Sequence, residues 1–134
     1  MSQNIKRRIN TISLVVDDYD RGIDFYVNKM GFVLIEDTPI PEQDKRWVLI
    51  APDRDAPLRL LLAQAASPKQ AGFIGNQAGG RVFLFLTTDD FWRDYKLYIG
   101  AGIEFVREPV EETYGIVAVF RDIYGNLWDL IQPA

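Results

Sequence analysis

A carboxylate set between apolar neighbours is a candidate general base, and Asp129 is placed that way, sharing a strand face with Leu127 and Ile131. Burial would raise its pKa and ready it to take a proton. It could equally be paired with Arg46 or Arg59, or held by backbone donors, as buried acids usually are. Thr11 and Ser13 point the same way along an early strand and offer two hydroxyls that could orient a polar ligand, or could be ordinary half-buried strand residues. Arg46, Trp47 and Arg59 sit on apolar strands, where a guanidinium would suit a carboxylate or phosphate, or would reach solvent or pair with an acid. Tyr114 closes the segment 107–115, whose Glu111-Glu112 polarity and position suit a cover over a pocket mouth.

The chemistry open to these residues is bounded by what the chain lacks. It contains no histidine and no cysteine. That removes imidazole acid–base chemistry, thiolate nucleophiles, disulfides and zinc knuckles. Absence of cysteine fits a reducing compartment, and the polar, basic stretch from Met1 to Arg8 shows no secretory h-region, so the expected location is the cytoplasm. No apolar run approaches membrane-spanning length, and no membrane association is expected. A net charge of −4, with scattered basic residues, disfavours nucleic-acid binding. The 134 residues, 48% of them apolar, suffice for one domain with a core of its own.

The elements that must position the candidates are used twice. Leu14 to Asp18 leads into an amphipathic stretch ending at Gly31, and Leu84 to Asp89 leads into another ending at Gly102. Both stretches run 13 residues (31−18 and 102−89), and the copies are offset by 71 (89−18). In the first copy Thr11 to Val16 alternates as a strand, Asp17-Asp18 offers an N-cap, and Ile23, Tyr26, Val27 and Met30 recur at helical spacing before a glycine suited to C′. Phe32 to Glu36, Arg46 to Ile50 and Leu58 to Ala63 read as strands. The two prolines in 38–42 mark a loop, because proline removes ladder donors. The second copy gives strands over 81–87, 103–107, 116–120 and 127–131 and a helix over 89–99. Phe91 and Trp92 are expected in the core, and Trp128, opposite Asp129 in alternation, under a helix.

The reading is therefore a single α+β domain over 1–134. Module one spans about 9–64 and module two about 81–134, each β-α-β-β-β. Together they predict a curved, partly wrapped eight-stranded sheet with two main helices and a ligand on its concave side. The glycine-rich linker, about 65–80, lacks the lysine and hydroxyl of a phosphate loop and reads as a connection with two apolar anchors.

Three stretches in order, Val16 to Tyr26, Met30-Gly31-Phe32 and Asp122-Ile123-Tyr124-Gly125-Asn126-Leu127-Trp128-Asp129-Leu130, make the chain resemble the vicinal-oxygen-chelate superfamily of glyoxalases, bleomycin-resistance proteins and extradiol dioxygenases. The resemblance implies that metal-dependent members carry one ligand on the first and one on the last strand of each module. Carried over, those positions fall on Thr11, on Val82 (82−11 is again 71), within Leu58 to Leu62, and on Asp129. One carboxylate among threonine, valine and leucine or arginine does not chelate a borderline transition metal. No metal or other cofactor is expected, and glyoxalase I or extradiol chemistry at that site is disfavoured.

Three functions remain. One is a metal-free protein binding a small polar molecule, most like bleomycin-resistance proteins, which resemble homodimers with grooves at the subunit junction. Another is a small lyase, isomerase or dioxygenase using Asp129 without metal or with an atypical ion. The last is a non-catalytic assembly module. The sequence favours the first by subtraction.

Overall fold

A computed structural model describes residues 4–134; the first three residues of the polar N-terminal stretch lie outside it. The repeat is realised as two four-stranded sheets. In the first, β1 (Thr11–Val16), β2 (Val33–Ile40), β3 (Lys45–Ala51) and β4 (Arg59–Gln64) run in the order β1-β4-β3-β2. In the second, β5 (Val82–Thr87), β6 (Phe105–Glu112), β7 (Gly115–Arg121) and β8 (Leu127–Pro133) repeat that order as β5-β8-β7-β6. The pairs β1–β4 and β5–β8 are parallel and the rest antiparallel. Parallel neighbours need a crossover, and each module supplies a helix for it.

The first helix, α1 (Tyr19–Ile23), continues as a π-helical stretch over Asp24–Lys29. The Asp18 side chain caps it, accepting from the Arg21 amide at 2.9 Å. The linker holds a short helix, α2 (Pro68–Ala71), that the sequence reading treated as irregular chain. In module two, α3 (Phe91–Gly100) is capped by Asp90, which accepts from the Arg93 amide at 3.2 Å. Gly31 and Gly102 follow the two main helices at φ +76° and +82°, the left-handed C′ geometry that glycine adopts without cost.

One core serves both modules. Leu14, Val16, Val48, Ile50, Leu60 and Leu62 of the first sheet join Phe120, Trp128 and Leu130 of the second in a single buried cluster. The contacts show which faces meet. Phe32, at the entrance to β2, stands edge-on to Trp128 of β8 with ring centroids 5.9 Å apart, and Tyr26 lies 6.0 Å from the same indole. The Tyr98 hydroxyl of α3 donates to the Met30 carbonyl at 3.0 Å. The sheets therefore turn their helix-bearing faces toward each other, and Trp128 is covered as the alternation predicted.

A buried carboxylate locks this junction. Asp122, in the turn before β8, accepts from the amides of Tyr124, Gly125 and Asn126 at 3.0, 3.1 and 3.0 Å. It also accepts from Asn126 Nδ2 and Trp128 Nε1 at 3.0 Å each, and from Tyr26 Oη of module one at 2.7 Å. Six donors compensate its removal from water, and bonds to a charged acceptor are worth about 1.5–3 kcal/mol each. Burial, and then the Asp122 charge, push the Tyr26 hydroxyl well above its ordinary pKa, so it remains a donor. The linker closes over the same turn: the Gln77 amide donates to Asn126 Oδ1 at 3.2 Å.

Four expectations are corrected. The segment 38–40 is strand, because β2 is the edge of its sheet and Pro39 loses no ladder bond there. The segment 107–115 is strand and turn: β6, likewise an edge strand, runs past the expected end at 107 to Glu112 with two bulges and turns into β7. Trp92 is 44% exposed, whereas Phe91 beside it is fully buried, since only one of two adjacent helical residues can face the sheet. Phe73 of the linker is half exposed and leaves Ile74 as the more buried apolar residue there.

Candidate functional site

Because the helix-bearing faces meet, the opposite face of each sheet turns away from the core, and the sequence candidates divide between these two outward faces. On the first sheet the rows are fixed by register: Thr11 beside Arg59, Ser13 beside Leu61 and Leu49, Val15 beside Ala63. Trp47 alternates with the buried Val48, shares this outward face, and is 40% exposed. A cavity of about 490 Å³ opens at the end of this face, lined by Thr11, Leu49, Ala56, Pro57 and Arg59 with Arg8 and Asn10 at its rim.

Arg46 points the other way. It forms a two-pronged pair with Asp37 (Nη2–Oδ2 2.7 Å, Nε–Oδ1 3.1 Å), reaches Asp20 at 2.9 Å and stacks over the Tyr19 ring at 5.2 Å. The hydrogen bond from Arg46 holds the Asp37 carboxyl below its ordinary value. Arg46 thus takes the acid-paired alternative and stands apart from Arg59.

On the second sheet Asp129 lies in the row Phe85, Asp129, Val119, Arg107, next to the row Thr87, Ile131, Val117, Val110. Neither Arg46 nor Arg59 pairs with it, and among the described residues no hydrogen bond reaches it. Burial among these apolar neighbours raises its pKa, and the charge of Arg107 opposes the rise. Phe85 is 68% exposed beside it. Tyr114 occupies the β6–β7 turn, exposed, its carbonyl accepting from the Ala134 amide at 3.0 Å, away from the Asp129 row.

Thr11, Ser13, Trp47 and Arg59 are thus brought together, Asp129 sits on the other module's face, and Arg46 and Tyr114 join neither group. Phe85, Leu49, Leu61 and Arg107 were missed. Strand alternation alone carried the signal for Phe85, which must oppose Leu84 and Leu86. A larger cleft of about 700 Å³ lies elsewhere, between the end of α1 and α3, where Met30, Phe32, Thr87 and Leu97 meet the polar cluster of Thr88, Asp89, Arg93 and Asp94. There Arg93 holds Asp89 at 2.9 Å and Asp94 at 3.2 Å, while the Thr88 hydroxyl donates to Asp94.

The metal-ligand positions implied by the family resemblance do not assemble a donor set. Those positions hold the hydroxyl of Thr11, the apolar Val82, Arg59 on the strand beside Thr11, and Asp129 as the single carboxylate. Among the described residues no three acidic side chains converge, and a transition metal asks for more than one oxygen donor. The residues present do not fit such an ion.

Residues 8–130 match the family described as Glyoxalase/Bleomycin resistance protein/Dioxygenase superfamily, and the chain belongs to that superfamily. Among its relatives, an uncharacterized protein of Shewanella frigidimarina (strain NCIMB 400) is 63% identical over 128 residues, covering 96% of this chain and 95% of that one. YurT, an uncharacterized protein of Bacillus subtilis (strain 168), is 30% identical over 130 residues, covering 93% and 98%. Among solved structures, UcmS2 superposes with a TM-score of 0.81 at 28% identity, over 95% of this chain and 98% of that one. TnmS3, an antibiotic binding protein from Streptomyces sp. CB03234, superposes with a TM-score of 0.77 at 28% identity, over 99% and 100%.

Proposed function

We propose that the protein binds a small molecule, without a transition metal, in a groove completed when two copies pair the outward face of one module with that of the other. The observation that carries this reading is the state of those faces. Phe85 at 68% exposure and Trp47 at 40% stand at the surface of these sheet faces beside the half-buried Leu61 and Ile131, while Leu49, Val117 and Val119 on the same faces are buried. Apolar sheet faces of this kind mark sites of association or ligand burial. Within one chain the shared core separates them, so a second copy is the simplest way to bring the Trp47 face of one module opposite the Phe85 face of the other. The resulting wall is aromatic and apolar with a few polar groups, the composition of small-molecule sites. The likeness to TnmS3, an antibiotic binding protein, supports the same class of ligand.

The test is a thermal-shift and tryptophan-fluorescence screen of polycyclic aromatic antibiotics against the purified protein. Saturable binding at one molecule per chain, weakened by Trp47→Ala and Phe85→Ala, is expected. No saturable binding across the panel would leave the assembly reading in its place.

A second reading rests on Asp129. A carboxyl group raised by burial and lacking a partner is equipped to move a proton on a bound substrate. Asp129→Asn then keeps ligand affinity and loses any turnover; unchanged turnover would remove the base role.

A further inference from the structure

We infer that the cavity at the end of the first sheet's outward face is a subsite for an anionic group, a carboxylate or a phosphate, with Arg59 as its anchor. This rests on the ligand-binding reading above and deepens it by naming the charge the ligand carries.

The backbone fixes the anchor. The Arg59 amide donates to the Asn10 carbonyl at 2.9 Å, and Thr11 is its register partner on β1. Alternation with the buried Leu60 and Leu62 sends the Arg59 side chain outward. Arg21, Arg46, Arg93 and Arg121 each hold an acid; Arg59 holds none among the described residues, nor do Arg7, Arg8, Arg54, Arg81 and Arg107, and of these Arg8 shares its cavity. The cavity around it, about 490 Å³, has a second cation in Arg8, polar groups in Asn10 and Thr11, an apolar floor of Leu49, Ala56 and Pro57, and no carboxylate in its lining. The Thr11 hydroxyl donates to Asn10 Oδ1 at 3.1 Å, which leaves Asn10 Nδ2 as a further donor at the rim.

The juxtaposition is selective in a chain whose net charge is −4. Two guanidinium groups collect in one concave place while the acids stay outside it. A guanidinium with an open fork matches a carboxylate or phosphate with two parallel hydrogen bonds, and the apolar floor takes the body of the molecule. A neutral ligand would leave that fork unanswered.

The experiment is a titration of ¹⁵N-labelled protein with benzoate, phenyl phosphate and benzyl alcohol, followed by amide chemical shifts. Wild type is expected to show saturable shifts at Asn10, Thr11, Leu49 and Arg59 with benzoate or phenyl phosphate. The tighter of the two identifies the group. Arg59→Gln should weaken the anion at least tenfold and leave benzyl alcohol unchanged, Arg8→Gln should weaken it less, and Arg59→Lys should restore part of the loss. The same spectra report whether each variant is folded. If benzyl alcohol titrates the outward faces as well as the acids do, or Arg59→Gln changes nothing, the anionic subsite is overturned and the ligand-binding reading stands. If none of the three probes shifts either face, both fall.

Discussion

The two modules share one plan and differ in what they do with it, most visibly at corresponding turns. Before β8, the turn wraps a fully engaged carboxylate: Asp122 is 5% exposed and gathers donors from its own backbone, from Trp128 and from Tyr26 of the other module. Before β4, the corresponding turn carries Asp53, exposed and bonded only to the Asp55 amide at 2.8 Å. The same contrast extends to the outward faces. Module one presents Thr11 and Arg59 at a cavity, while module two presents Phe85, Asp129, Val119 and Arg107 in one row. The two copies of the unit thus differ: the second locks the junction through Asp122, and the first carries Arg59 and Thr11 at a cavity.

The largest expected effect sharpens the contrast between turns. Asp122→Ala strands the buried donors of Tyr26 and Trp128 and should cost about 3–5 kcal/mol in urea unfolding. Asp53→Ala, at the exposed turn, should cost less than about 0.5 kcal/mol. Equal losses would mean that Asp122 does not hold the modules together. Gly75 packs against the locked turn, and a Cβ there would lie 2.1 Å from the Tyr124 carbonyl oxygen at φ +76°. Gly75→Ala should therefore lose about 2 kcal/mol or more. Gly31→Ala, at the same φ with nothing within 4 Å, should lose only the backbone term of about 1–2 kcal/mol.

The contrast between faces predicts effects on association rather than folding. Phe85→Asp should weaken self-association by about 2 kcal/mol, as a central aromatic contact does, with little change in chain stability. The smallest effect is pH-dependent. The folded-state pKa of Asp129 is raised by burial above its ordinary 3.8, so the folded chain holds this proton more tightly than the unfolded one. Its contribution to stability is fully present below 3.8 and is lost as pH rises through the raised value. Asp129→Asn should then be slightly more stable than wild type at pH 7, and the gain should vanish toward pH 3. A gain that persists at low pH would place its cause in packing.

Much of this layout was legible from local pattern. The 71-residue offset, the strand alternation and the caps before each main helix all depend on near neighbours, and they gave two β-α-β-β-β modules with Trp128 beneath a helix. What failed to show was set by distant partners. Pro39 reads as a breaker because nothing local tells an edge strand from a central one. One of the six bonds to Asp122 comes from Tyr26, 96 residues away in the chain. The division of the candidates followed from the same limit. Alternation tells which residues share a face, but only tertiary packing shows that both modules turn their helices inward. Arg46 joined the acids of α1 and β2 through that packing, and Phe85 emerged on the surface because of it.

Sedimentation equilibrium of the wild-type chain asks whether the outward faces of two copies cover each other. A species of twice the chain mass at micromolar concentration, shifted toward the single chain by Phe85→Asp, is the expected result. A folded wild-type protein that stays a single chain across that range would contradict it.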